Sequence, residues 1–116
     1  MPEPLEIART FNDAFNARDQ ERFLALLADD VEISNPLGNR STAHEGGQQF
    51  LAANIHLGVH VEPDGPERVD GQRVAVPVIL RMGDGTELRP AGVFDVRDDG
   101  KIARFAVVMD RAAAGL

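Results

Sequence analysis

The chain reads as an α+β domain in which three helices precede an antiparallel meander. Three observations predict this. Apolar residues recur at helical spacing over residues 4–17. From Gly58 the spacing changes to alternation, punctuated by the turns VDGQ (69–72), GDG (83–85) and RDDGK (97–101). Helices and strands are segregated, and do not alternate as a parallel βαβ array requires.

Each element has its own signal. Leu5, Ala8, Phe11, Ala14 and Phe15 form the stripe of the first helix. Asn16 to Asp19 break it, and Asp19 is placed to cap a second helix that buries Phe23, Leu26 and Leu27. Asp29 and Asp30 then turn the chain into a strand over 31–35, with Val31, Ile33 and Asn35 on one face and Glu32 and Ser34 on the other. An apolar face ending in Asn35 and followed by Pro36 and Gly38 is the pattern of a pocket mouth. Ser41 or Thr42 can cap a third helix over about residues 45–56, although Gly46 and Gly47 weaken its first turn. Strands follow over 59–62, 73–82, 86–96 and 102–110, with residues 61–68 as a bulge or irregular edge. Residues 1–116 form one domain, with loose ends at 1–4 and 111–116.

The strands have unequal faces. Val74, Val76, Val78, Leu80 and Met82 oppose Ala75, Pro77 and Ile79; Leu88, Pro90, Gly92 and Phe94 oppose Ala91 and Val93; Phe105, Val107 and Met109 oppose Ala106 and Val108. Three short helices cover one face only. The second face, with Ala75, Ile79, Ala91, Val93, Ala106 and Val108, is then a candidate homodimer surface. The alternative is a solvated face whose small residues lie under Arg and Glu stems.

Composition excludes several functions. A net charge of −7 repels phosphate backbones, so no nucleic-acid partner is expected. No long apolar run exists to cross a membrane, and the opening MPEPLEIAR does not read as a signal peptide. The absence of Cys removes disulfides and thiolate chemistry and fits a cytoplasmic setting. No HxxxH, HExxH or paired-carboxylate pattern is present, so no metal or other cofactor is expected. No Ser has a recognisable His and acid partner, and no glycine loop carries the Lys of a phosphate cradle.

FNARDQERFLALLADDVEISNP, the loop with HEG, and DGKIARFAVVMD together resemble the nuclear transport factor 2-like superfamily, over roughly residues 4–110. The nearest branches are the ketosteroid isomerase-like and SnoaL-like polyketide cyclase proteins. The resemblance implies a cone-shaped, cystatin-like fold whose curved antiparallel sheet wraps the helices and encloses an apolar pocket. It would line that pocket with Phe11, Phe15, Val31, Ile33, Asn35, Leu88, Pro90, Gly92, Phe94, Phe105, Val107 and Met109. The same residues could instead fill a solid core.

Steroid isomerases of this kind move a proton with a carboxylate, while a Tyr and a protonated Asp donate to the enolate. Matched residue by residue, the base falls on Asn35, the Tyr on Phe11 and the Asp on Gly92. Asn is no base, Phe donates nothing and Gly offers only backbone. The resemblance therefore implies an apolar small-molecule binder, isomerase-like or cyclase-like, without the usual acid–base set. The alternative is a non-catalytic dimeric accessory module. Asn35 can orient a ligand carbonyl or hydroxyl, hold a water, or serve as a turn residue. His44, expected near the pocket rim, is the weak second catalytic candidate; His56 and His60 read as capping and edge residues. The acids of the turns, including Asp64, read as solvated surface.

Overall fold

Pro4 opens the first helix, α1 (Pro4–Asn16), at the position where its missing N–H costs nothing. The computed structural model describes residues 3–35 and 40–116. Pro36 and Gly38, read as part of a pocket mouth, lie outside the described residues. The helix buries Ala8, Phe11, Ala14 and Phe15, the stripe read from its spacing. Arg18 takes a φ of 58° in the turn that follows. Asp19 then caps α2 (Gln20–Ala25), its Oδ1 accepting from the Arg22 N–H at 3.2 Å.

The third helix, α3 (Ala43–His56), starts two residues earlier than its spacing suggests, and Thr42 supplies no side-chain cap. Gly46 and Gly47 have a packing reason. A Cβ on Gly46 would stand 2.8 Å from the Ser41 carbonyl carbon, and one on Gly47 would stand 2.6 Å from a Leu27 methyl. The two glycines let α3 settle directly on the strands beneath it.

Those strands are β1 (Leu27–Ser34), β2 (Arg40–Thr42), β3 (His60–Pro63), β4 (Arg68–Asp70), β5 (Arg73–Arg81), β6 (Glu87–Leu88), β7 (Ala91–Val96) and β8 (Ile102–Val108). The order is β2-β1-β8-β7-β5-β3, with β4 and β6 also paired to β5, and the sheet curls around the helices. Every pair is antiparallel except β1 with β8, which run parallel, so the sheet is mixed.

Four local readings change. Asp29 and Asp30 are not a turn before β1 but lie inside it, at a register shift between Leu27 and Glu32. The expected strand 86–96 is divided, because Pro90 has no N–H to give the ladder. The alternation of the last strand slips at Ala103, a bulge between the pairs Val96–Ile102 and Asp95–Arg104. Ile102 therefore turns inward with Phe105 and is fully buried. Residues 111–114, expected as part of a loose end, form a 3₁₀ turn (Arg111–Ala114). Arg111 donates to Val78 O at 2.9 Å, Pro90 O at 3.2 Å and Asp64 Oδ2 at 2.8 Å, so Asp64 is half-buried and ion-paired.

That tail also alters the second face of the sheet. Ala75 and Ile79 are already buried within one chain, and Ala113, Ala114 and Gly115 share a recess with Ala75. Ala91 is fully buried as well. Val93, Ala106 and Val108 remain half-buried. In the core, all six phenylalanines join one network: Phe11 touches Phe23, Phe94 and Phe105 at centroid distances of 4.8, 5.1 and 4.7 Å, and Phe15 and Phe50 complete it. Aromatic pairs at these tilted and edge-on angles add to what their buried area contributes.

Candidate functional site

Between the helices and the curled sheet lies a cavity of about 760 Å³. That is within the range of pockets that enclose a small molecule. Its sheet wall is apolar: Val59 and Val61 come from the β3 segment, Val78, Leu80 and Met82 from the β5 segment, Leu88 from β6, and Phe94, Phe105, Val107 and Met109 from the end of the meander. Its helix wall combines Phe11, Phe15, Phe50, Ala53 and Leu57 with the amides Asn12, Gln49 and Asn54. Asn35, just past the end of β1, and Ser41, within β2, add polar groups. Leu57 and Met109 are exposed.

Gly92 sits on this wall because two rings crowd it. A Cβ there would come within 3.2 Å of Phe105 and 3.4 Å of Phe94. The missing side chain leaves room for those rings.

Of the twelve residues expected around a pocket, nine border the cavity: Phe11, Phe15, Asn35, Leu88, Gly92, Phe94, Phe105, Val107 and Met109. Val31, Ile33 and Pro90 do not. Val31 and Ile33 are packed into the core under α3, and Pro90 is fully buried at the break between β6 and β7. Ala91, placed by alternation on the outer face, also borders the cavity.

The histidines do not join the site. His44 spends its Nε2–H on Leu27 O at 2.9 Å and stands 3.8 Å from Asp29, away from the cavity lining. His60 faces Arg18, with 3.4 Å between Nδ1 and the guanidinium. His56 ends α3.

Asn12, Gln49 and Asn54 escaped the sequence reading, though a signal existed. Asn12 lies between Phe11 and Phe15 on the buried stripe of α1. Phe50, Ala53, Asn54 and Leu57 follow the i, i+3, i+4, i+7 pattern of one helix face.

No described lining residue carries a titratable side chain. The lining offers amide and hydroxyl groups, which donate and accept hydrogen bonds but do not exchange protons near neutrality. The ionised groups lie elsewhere, in pairs. Asp64 is held below its ordinary value first by the hydrogen bond from Arg111, and Asp30 by that from Arg97. Among the described residues, no group of three or more His, Asp or Glu could hold a metal ion, and no helix is long and apolar enough to cross a membrane.

No protein of curated function matches the chain. Solved structures do. A protein of Kribbella flavida, provisionally named a ketosteroid isomerase, is 28% identical with a TM-score of 0.78, over 90% of this chain and 75% of that one. TerC, co-crystallised with polyporic acid, is 26% identical with a TM-score of 0.79, over 97% of this chain and 95% of that one. A computationally designed 17-OHP binder shares the fold at a TM-score of 0.82 and 22% identity, over 95% and 93% of the two chains. The profile of the SnoaL-like domain matches residues 8–105, most of the sequence, and this chain belongs to that family.

Proposed function

We propose that the chain binds an apolar small molecule in the cavity, orients it through neutral amides, and performs no acid–base chemistry on it. The observation that carries this reading is the pairing of a 760 Å³ apolar cavity with a described lining free of titratable side chains. Proton transfer from carbon needs a base within hydrogen-bond reach of the substrate. Asn35 stands where relatives would hold one. The ligands named for TerC and for the designed binder support the small-molecule part of the reading.

The test is a thermal-shift screen against uncharged cyclic ketones, sterols and polyketide-like aromatics. A ligand at about 100 times its Kd adds about 2.7 kcal/mol, which is several degrees for a domain of this size. The shift should vanish in Ala53→Trp, which fills the cavity from an exposed helix position. No shift across the panel would favour the accessory module. Isomerisation of a Δ5-3-ketosteroid should stay at background; turnover that disappears in Asn35→Ala would overturn the reading.

We also propose a cytoplasmic homodimer through the outer sheet face, narrowed to Val93, Ala106 and Val108 because the chain covers its own Ala75 and Ile79. Sedimentation of wild type and Ala106→Glu checks it: a dimer lost in the variant supports the surface, and a monomeric wild type removes it.

A further inference from the structure

We infer that the ligand of this cavity is uncharged, and that the lining selects against acids of the same shape. The inference rests on the binding reading above and adds the chemical class of the ligand. The polar groups of the lining are Asn12, Asn35, Ser41, Gln49 and Asn54, four carboxamides and one hydroxyl. Residues 36–39, next to Asn35, are Pro, Leu, Gly and Asn and add no ionisable side chain either.

An anion entering this space leaves water and meets no cation among the described lining residues. Three arginines near the β5 and β6 wall are committed to carboxylates. Arg81 pairs with Glu62 at 3.0 Å and with Glu87, Arg89 lies 3.2 Å from Asp64, and Arg111 lies 2.8 Å from the same carboxylate. A buried charge without a partner is the most expensive group a ligand can bring. A cationic ligand fares no better, because no described lining residue carries a carboxylate. A neutral ligand loses only the hydration of its hydroxyl or carbonyl groups, and the amides replace it.

The distribution of those amides also sets orientation. Asn12, Gln49 and Asn54 all belong to helices, whereas every lining residue of β5 to β8 is apolar. Asn54 already donates Nδ2 to Phe50 O at 2.8 Å, which leaves its Oδ1 to accept. The ligand therefore rests its apolar face on β5 to β8 and directs its hydrogen-bonding groups, a hydroxyl or N–H among them, toward α1 and α3 and toward the Asn35 and Ser41 end of the sheet.

The test uses two fluorescent probes with one anilinonaphthalene skeleton: neutral N-phenyl-1-naphthylamine and its sulfonate, 8-anilinonaphthalene-1-sulfonate. Both are titrated into the protein at high salt, which screens the net surface charge but not a buried one. The neutral probe should bind at least about 100-fold tighter. Binding should be lost in Ala53→Trp, and Met109→Lys, which places a cation at the cavity, should narrow the ratio at least about tenfold. Circular dichroism checks that both variants fold. Equal affinities for the two probes, each displacing the other, would overturn the charge selection while leaving the cavity a binding site. Binding of neither probe, or binding unaffected by Ala53→Trp, would overturn the binding reading and this inference with it.

Discussion

Asn16 meets the edge strand β3 with both ends of its amide. Its Nδ2 donates to Val61 O at 2.8 Å, and its Oδ1 accepts from the Val61 N–H at 2.9 Å. One side chain at the end of α1 thus satisfies the backbone groups that a further strand would have taken, and it does so behind a residue that lines the cavity. Asn16→Ala leaves both groups without their partner, and Asn16→Asp keeps the acceptor but sets a carboxylate against a carbonyl. Urea denaturation should show a loss of about 1–3 kcal/mol for the first and no smaller loss for the second. Asn35 is a different case, because its interest is chemical. Asn35→Asp sets a carboxylate at the position that the resemblance matches to an isomerase base, but Phe11 and Gly92 still supply no side-chain donor for an enolate. Steroid isomerisation by this variant should remain at background in a spectrophotometric assay, and measurable turnover would show that one carboxylate suffices.

Helix α3 and the divided strand β6–β7 show how elements shape the cavity. The approach of α3 to β2 depends on Gly46, where a Cβ would come within 2.8 Å of backbone. Gly46→Ala should cost about 1–3 kcal/mol in chemical denaturation, despite the better helix propensity of Ala. The division of the other strand is repaired from outside. Val78 N–H donates to Pro90 O at 3.1 Å, but Pro90 cannot donate back, and Arg111 supplies the missing hydrogen bond to Val78 O. Lys, a single flexible ammonium, cannot hold two carbonyls and Asp64 together, so Arg111→Lys should lower stability. It should also change the acid response. Asp64 is depressed below its ordinary value of 3.8, chiefly by Arg111, so it binds fewer protons folded than unfolded. Its contribution is present above that value and is lost as pH falls through the lower folded one. Urea midpoints followed into acid should fall less steeply in Arg111→Lys than in wild type. These elements also show what could be read from sequence. The stripe of α1, the Asp19 cap and the hairpin at 83–85 follow from local spacing and turn chemistry, and the structure keeps them; α2 is shorter than its spacing suggests, ending at Ala25 with Phe23 buried, while Leu26 stands at its C-cap and Leu27 already belongs to β1. The strands β2 and β4 are short arms of local hairpins, β2 with β1 and β4 with β5 across the VDGQ turn, too brief to show a period. The role of Arg111 depends on Asp64, Val78 and Pro90, which lie far along the chain. No window of neighbouring residues contains that contact.

Across the whole molecule, ionised and apolar groups are kept apart. Arg73–Asp95, Arg104–Glu32 and Arg9–Glu67 lie on the exterior at 2.8, 3.1 and 3.1 Å, while the phenylalanine network holds the centre. Exposed pairs of this kind contribute little each and are screened by salt. Raising the salt concentration should therefore move the unfolding free energy by less than about 1 kcal/mol. The candidate site was partly legible for the same reason. Period-two alternation put Phe105, Val107 and Met109 on one face correctly, but it could not say that α3 would cover Val31 and Ile33 and leave the space beside them open. The parallel pairing of β1 with β8 has a consequence for biosynthesis. Residues 27–34 gain β2 on one edge early, but their other edge waits until residues 102–108 have left the ribosome, so the sheet cannot close while the chain is being made. For that interval the β8-facing edge of β1 is an open nascent edge, a place where a chaperone could act on yield.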